Sequence, residues 1–371
     1  MNILNPDLIK YRNSMKIKKE AIPGIIAMGV MLLITAFWSF WSFGEMYHEG
    51  WWGPFYIRLA YLIPGVAFTL LTFAAGKWPR IGGWLIIIIG GAFTVFFLDF
   101  SIADGKLSIN RDISGILVSG PLVFLGILFI VEARYRKKKS LEGFEVSKAW
   151  WKKHLGSILA MTPFIISMIG TSIFSLPVVL TRIDDGFRGA SLIEGNGVNL
   201  IWAPEGPGWN WKQGFGGYPS WNSIALYGVP PIGFGEKPGF NSKEGIFASE
   251  EEMAEFNICT FLSKDGTSLE TEPQNIWRMA TIDEYLRSLS RHEINAGCSW
   301  DGESHAQMKC TILPDKETPL WAPDLSPIYY WTADEYSERE AFFVSYNGWV
   351  NTANKNGGNP RHSYRCVREV D

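Results

Sequence analysis

Five long apolar runs fill the first half of the chain, and the second half has nothing like them. Ala21–Gly44 carries no charged residue. A hydrocarbon core about 30 Å thick needs about 20 apolar residues in a helix, so this run predicts a transmembrane span. A cleaved signal peptide has an apolar core of only about 7–15 residues, and this run is longer. Leu59–Gly76 predicts a second span, interrupted by Pro64. Ile81–Leu98 predicts a third, with Ile86-Ile87-Ile88-Ile89 at its centre. Ile113–Val131 predicts a fourth, and Leu155–Thr181, with Pro163 and Pro177, a fifth. Membrane helices tolerate such prolines when neighbours cover the freed carbonyl. An odd number of spans puts the termini on opposite sides.

The Lys/Arg bias of the connecting segments orients the spans. Lys10, Arg12, Lys16, Lys18 and Lys19 precede the first. Lys77 and Arg80 lie between the second and third. Arg134, Arg136, Lys137, Lys138, Lys139, Lys148, Lys152 and Lys153 lie between the fourth and fifth. The alternate segments carry only Arg58, Lys106 and Arg111. All the basic segments then share one face, which predicts a cytoplasmic N-terminus and an extracellular C-terminal half. Arg58, Glu45, Asp99 and Glu132 fall at span edges, where long side chains reach the interface. Ser, Thr and paired glycines inside the spans suit helix packing; the run Arg134–Lys139 would attract anionic lipid, but reads more simply as a topology signal. The expected organisation is a basic tail over residues 1–20, a five-helix membrane domain over 21–182 and an outer domain over 183–371.

After Arg182 the pattern changes to turns and short alternating runs. Pro204-Glu205-Gly206-Pro207-Gly208-Trp209 and Gly214-Phe215-Gly216-Gly217 predict loops whose aromatics fill a core. Ser249 with Glu252, and Thr281 with Glu284, predict capping boxes that open two helices. The first carries Met253, Phe256, Ile258 and Phe261 and stops at Asp265-Gly266. The second carries Ile282, Tyr285, Leu286 and Leu289 and runs to about His292. Ile328–Ala333, Ala341–Tyr346, Trp349–Thr352 and Tyr364–Val370 read as antiparallel strands, with a hairpin at Asn347-Gly348. The outer half is therefore α+β.

Composition agrees with this division. Charged residues are 19%, below the roughly 25% of soluble domains. The 34 basic and 37 acidic residues nearly cancel, which argues against a nucleic-acid binder. Aromatics reach 15%, with 17 Trp, and all four cysteines lie at or beyond Cys259.

The run Asn275-Ile276-Trp277-Arg278-Met279-Ala280-Thr281-Ile282-Asp283-Glu284 resembles the "WRLPT-x-x-E" segment of Lcl-type C-terminal domains. Their relatives form the formylglycine-generating-enzyme (sulfatase-modifying factor) branch of the C-type lectin fold. Tyr330-Trp331-Thr332-Ala333, Ala341-Phe342-Phe343-Val344, Gly348-Trp349-Val350 and Tyr364-Arg365-Cys366-Val367-Arg368 continue the resemblance, which spans about Ile201–Glu369. Met279-Ala280 departs from the usual Leu-Pro. No resemblance covers the five-span half. The resemblance implies a C-type-lectin-like extracellular domain.

Four cysteines on an external face suggest two disulfides among three pairings. Cys298 and Cys310 are close enough in sequence to close a local loop. The helix-to-terminal-strand bridge of the resembled fold implies Cys259–Cys366. Metal binding is the competing reading, without a Cys-x-x-Cys or a nearby His pair to favour it. The oxidase branch of that fold holds copper between two close C-terminal cysteines, and here Cys366 stands alone there, so that activity is not carried over. His292, His305 and His362 are scattered. The calcium signatures Glu-Pro-Asn and Trp-Asn-Asp are absent, with Glu272-Pro273-Gln274 similar in composition only. No catalytic residue and no cofactor is expected, although such a domain has room for a structural calcium ion.

Tyr346–His362 is rich in Asn and Gly. Those residues serve turns, but with aromatic anchors they also make adaptable recognition surfaces. The candidate ligand contacts are Tyr346, Asn347, Trp349, Asn351, Asn354, Asn356, Asn359 and Arg361. In the resembled fold some members are variable proteins of diversity-generating retroelements, altered at Asn-type codons in this stretch. The expected function is a membrane-anchored cell-surface binding protein. Its partners would be the bilayer and an extracellular protein or glycan, with homo-oligomerisation through the spans. The alternatives are an extracytoplasmic enzyme related to sulfatase-modifying factors, and a transporter or sensor with an accessory outer domain.

Overall fold

The structure, a computed structural model, describes residues 22–96, 98–103, 106–111, 113–141, 150–181, 186–210, 218–227, 247–303, 305–315, 320–322, 327–357 and 361–370. The chain divides into two compact units, Met1–Leu176 and Pro177–Asp371.

The first unit is helical. Helix α1 is Ile22–His48, followed by a 3-10 turn at Gly50–Trp52; α2 is Phe55–Tyr61, α3 Ile63–Lys77, α4 Pro79–Phe96, α5 Ile113–Leu141 and α6 Trp150–Leu180. Among the described residues three helices are long and apolar enough to cross a membrane: Ile22–His48, Pro79–Phe96 and, within α6, His154–Leu180. A fourth arises if α2 and α3, bent by 44°, form one span. The expected fourth run, Ile113–Val131, lies inside α5. A hairpin of β1 (Leu98–Ala103) and β2 (Lys106–Arg111) joins α4 to α5.

Many large apolar side chains of this unit are exposed. In α1 the buried positions include Gly24, Ala27, Met31, Thr35, Ser39 and Ser42, whereas Leu33, Phe37 and Phe40 are exposed. Met31, Phe43 and Tyr47 are buried beside those small and hydroxylic residues, and Phe68, Ile86, Leu122, Leu125 and Phe129 complete the core of the unit. Glycines set the closest approach. A Cβ on Gly83 would stand 2.7 Å from the Gly126 carbonyl oxygen, and one on Gly90 2.9 Å from Leu122 Cβ, so α4 and α5 meet backbone to backbone. Thr35 Oγ1 lies 2.8 Å from Thr72 Oγ1, and Thr94 donates to Ser119 at 2.8 Å. At the α2–α3 break Pro64 has no N–H, and Gly65 donates to Ser42 Oγ at 3.0 Å. The neighbouring helix thus supplies an acceptor that the bent span's own backbone does not.

The second unit holds two four-stranded sheets. One runs β10-β9-β8-β11 and the other β3-β4-β12-β5. Their strands are β3 Ser191–Gly195, β4 Val198–Trp202, β5 Arg278–Met279, β8 Tyr329–Ser337, β9 Glu340–Ser345, β10 Val350–Asn354, β11 His362–Ser363 and β12 Cys366–Glu369. Three short helices accompany them: α7 (Trp221–Ala225), α8 (Glu250–Phe256) and α9 (Ile282–Ser288). The core gathers Trp221, Ile224, Met253, Ile258, Trp277, Met279, Trp331, Phe343 and Tyr364.

Both capping boxes form. Ser249 and Glu252 exchange bonds at 3.2 and 2.9 Å, and Thr281 and Glu284 at 3.3 and 2.9 Å. Both helices are shorter than their apolar spacing predicts. The first stops at Phe256, because Asn257 accepts from Cys259 N and starts a 3-10 turn, Ile258–Phe261. The second stops at Ser288, because Ser290–Arg291 (β6) turns back onto Ile294–Asn295 (β7). His292 and Glu293 take positive φ there, at 51° and 63°. The C-terminal strands do not form one antiparallel sheet either. β11 pairs β8 in parallel, and β12 leaves for the other sheet, between β4 and β5.

Cys259 is bonded to Cys366 and Cys298 to Cys310, with sequence separations of 107 and 12. The first ties the 3-10 turn to β12. In the chain-entropy picture a loop of about 100 residues contributes roughly 4.7 kcal/mol and a 15-residue loop about 3. Cys366→Ser should therefore lower the denaturation midpoint of the C-terminal unit more than Cys298→Ser, as read in chemical unfolding without reductant. Equal losses would contradict this account.

Candidate functional site

The Asn-Gly signal does produce a hairpin, of a different class from the tight two-residue turn that such a pair favours. Ser345 N donates to Trp349 O at 2.9 Å and Gly348 N to Ser345 O at 2.9 Å. In this turn only Gly348 takes positive φ, 81°. That is a three-residue connection ending in a left-handed glycine. Asn347 Oδ1 accepts from Ser345 Oγ at 2.5 Å and from Trp349 N at 3.3 Å, which holds the turn from within. Gln307 Nε2 donates to Asn347 O at 2.7 Å, and Met308 N to Gly348 O at 3.0 Å. The loop closed by Cys298–Cys310 thus braces the hairpin tip.

Trp349 stands on this braced tip with 43% of its surface exposed. Tyr346 does not: it is buried, which corrects its expected role as a displayed contact. Asn351 pairs with Phe343 on β9, and its Oδ1 accepts from Thr352 N at 2.8 Å. Asn354 is exposed, and its Oδ1 accepts from Asn356 N at 2.9 Å. Asn356 and Arg361 are half-buried, and Asn359 lies outside the described residues. Three of the asparagines therefore serve the turn and strand backbone through their carbonyl oxygens. They are spread along β10 and its end rather than gathered on one face.

Between Asn354 and Asn356, Lys355 is fully buried. It donates to Ala248 O at 2.6 Å and Glu335 Oε2 at 2.8 Å, and lies 4.7 Å from the Trp221 ring centroid. The end of β10 is thereby anchored, and the adjacent asparagines are held in place by a residue that the sequence pattern did not single out. Its only signal was one lysine inside an Asn/Gly run.

Trp277, Arg278 and Arg365, three of the residues that carry the resemblance, are architectural. Trp277 is buried and donates to Ser263 O at 2.9 Å. Arg278 bridges Glu284 and Glu369, each at 2.6 Å. Burial alone would raise the Glu284 carboxyl, but Arg278 and the Thr281 cap together hold it below the usual range. Arg365 is wholly buried, 3.6 Å from the Trp209 ring centroid, and burial lowers its pKa to about 9.

An open depression of about 600 Å³ is lined by Ser263, Lys264, Asp265, Thr267, Ser268 and Arg368 and shares no residue with the hairpin tip. Among the described residues no three His, Cys, Asp or Glu side chains are grouped to hold a metal ion. His362 belongs to the core. Its ring lies 5.1 Å from Tyr329, 4.8 Å from Trp331 and 4.8 Å from Phe343.

Residues 14–142 match the family model of a domain of unknown function, DUF7670, which reaches through α5 and covers about a third of the chain. No curated protein and no solved structure matches the chain.

The placement of His362 predicts a pH dependence. Burial lowers its pKa from 6.5 to about 3. Above pH 6.5 it is neutral in both folded and unfolded chains and contributes no pH dependence. As pH falls from 6.5 toward 3 the unfolded chain binds a proton that the fold refuses. Stability then drops by up to about 1.4 kcal/mol per pH unit. In paired urea titrations at pH 7 and pH 4, His362→Gln should lose about 3 kcal/mol less across that interval than the wild type. Parallel losses in the two proteins would show that His362 takes no part.

Proposed function

We propose that the protein is a membrane-anchored cell-surface binding protein. Five spans hold it in the bilayer with a cytoplasmic N-terminus, and a C-type-lectin-like domain outside recognises a protein or glycan. The observation that carries the binding reading is Trp349. A large aromatic side chain stands 43% exposed on a hairpin tip fixed by Asn347, Gln307 and the loop of the Cys298–Cys310 disulfide. Interfaces draw most of their energy from a few aromatic or Arg anchors. A rigid support spares such an anchor the entropy of being ordered on binding.

Several features support the lectin-like part. The first strands of the unit, β3 and β4, share a sheet with the terminal strand β12. A disulfide joins the segment after α8 to that strand, and a second closes a local loop. Two disulfides suit an oxidising compartment. Five helical segments occupy the positions of the five apolar runs, with α2 and α3 sharing one of them.

Trp349→Ala should abolish ligand binding at a loss of about 2 kcal/mol or more, while unfolding stability changes by about 1 kcal/mol or less. Asn351→Asp and Asn354→Asp keep the oxygens that accept from the backbone, and together with Asn356→Asp they should change ligand choice with the fold intact. A binding screen against cell-surface glycans and proteins, with melting curves of both variants, tests this. Unfolding of Trp349→Ala beside an unchanged ligand profile of the Asn variant would overturn the reading.

The orientation has its own test. A tag after Asp371 should be open to antibody on intact cells. Protection until the cells are permeabilised would reverse the topology.

A further inference from the structure

One end of the helical unit collects positive charge. Arg136 donates through Nη1 to Gly76 O at 3.0 Å and through Nε to Glu132 at 3.0 Å, so the C-terminal part of α5 lies against the end of α3. Gly83 meets Gly126 and Ile130, whereas Gly90 meets Leu122 and Val123, so α4 and α5 run antiparallel. Arg80, three residues before Gly83, therefore stands about level with Glu132. Lys77 lies 4.6 Å from the ring centroid of Trp78, which is 48% exposed. Lys77, Arg80, Arg134, Arg136 and Lys137 are all exposed at this end. Against them stands one described carboxylate, Glu132, which is buried, already bonded to Arg136, and set against Gly24 of α1. Glu45, near the other end of α1, is about 30 Å away at 1.5 Å per residue.

We propose that this end is a binding site for the phosphate headgroup of an anionic phospholipid. Arg80, Arg134 and Lys137 would supply the charge, Arg136 the scaffold, and Trp78 the aromatic contact at the level of the headgroups. The inference rests on the membrane-spanning reading above. Charge complementarity selects the occupant: cationic side chains and an amphipathic indole meet where a spanning helix leaves the hydrocarbon, and phosphate is the anion of that layer. The proposal adds a defined cluster on α3, α4 and α5 to the general bias of basic residues toward one side. The C-terminal carbonyls of α3 would repel an anion. Arg136 covers one of them at Gly76, which leaves the face positive.

The test uses the full chain in nanodiscs of equal parts phosphatidylcholine and phosphatidylglycerol, with retained lipid counted by native mass spectrometry. Wild type should retain phosphatidylglycerol in excess, by up to about fivefold for each basic side chain that engages the headgroup. Arg80→Gln, Arg134→Gln and Lys137→Gln together should bring retention back to the bulk ratio. None of the three has a described side-chain partner, so the helices should stay intact by circular dichroism. Arg80→Lys with Arg134→Lys should keep the preference. Incorporation with equal retention of the two lipids, or an unchanged preference in the Gln variant, would overturn the headgroup site alone. Full displacement of retained lipid by millimolar glycerol 1-phosphate would also overturn it, since the site would then read a free phosphate. Failure of the chain to enter nanodiscs would overturn the membrane reading, and the proposal with it.

Discussion

An arginine can sit at the centre of a domain only if its N–H groups meet acceptors or an aromatic face, because an unpaired buried charge is strongly destabilising. Arg365 meets this constraint with parts of the chain far apart in sequence. Its Nε donates to Ala203 O at 2.8 Å, its Nη1 to Leu320 O at 3.2 Å, and its guanidinium covers Trp209. Its own backbone N–H bonds the Tyr285 hydroxyl at 2.9 Å, and that hydroxyl bonds back to Arg365 O at 3.1 Å. The next residue, Cys366, is bonded to Cys259. One short stretch before β12 therefore fixes the Ala203–Trp209 loop, α9, the segment at Leu320 and the 3-10 turn together.

Six of the 17 tryptophans have their explanation in the same unit. Trp202, Trp209, Trp221, Trp277, Trp321 and Trp331 are fully or nearly fully buried, so the aromatics fill a unit whose regular elements are short. A core built this way rests on large side chains with polar handles, and several handles have defined partners. Trp221 donates to Thr332 O at 2.8 Å, and Trp209 to the Tyr330 hydroxyl at 3.1 Å. Against that background Trp349 stands out, because its exposed ring fills no core and sits where the backbone is braced from both sides.

How much of this was legible depends on the range of the interactions. Capping boxes are local, and both were readable from Ser249/Glu252 and Thr281/Glu284. The hairpin at Asn347-Gly348 was readable for the same reason, although its class depended on contacts from Gln307 and Met308, forty residues upstream. The β1–β2 hairpin also carried a local signal, Asp104-Gly105 between two alternating runs, which the apolar spans on either side obscured. Helix ends were misplaced where a tertiary partner interrupted the period, as at Asn257 and at the His292-Glu293 turn. The parallel pairing of β11 with β8 and the departure of β12 to the other sheet are long-range choices that strand periodicity does not encode. At the candidate site, the exposure of Trp349 agreed with the pattern and the burial of Tyr346 did not. Both lie in one aromatic-bearing turn, and only the backbone twist at Gly348 decides which ring faces solvent. Lys355 was invisible because its acceptors, Ala248 and Glu335, come from other elements.

The helical unit follows the same logic in a different solvent. In the proposed membrane setting, small and hydroxylic residues share the inward face of α1 with Met31, Phe43 and Tyr47. The spacing of Gly24, Ala27, Met31, Thr35 and Ser39 was therefore the informative pattern in a run that hydropathy alone reads as uniform. Several hydroxyls bond between helices: Thr35 with Thr72, Ser42 with Gly65, Thr94 with Ser119, and Tyr47 with Ser172 at 2.8 Å. Polar groups that bond one helix to the next stabilise a fixed bundle. The bend between α2 and α3 belongs to that bundle as well, because it is held by a hydroxyl from α1. The proposed anchor needs that rigidity, and so does the proposed headgroup site, whose basic side chains come from α4 and α5. Holding those side chains at one level requires the glycine contacts of α4 with α5 and the Arg136 bond to Gly76. The packing inside the helices and the charge at their end are thus one design, in which close backbone approach sets the geometry of the surface.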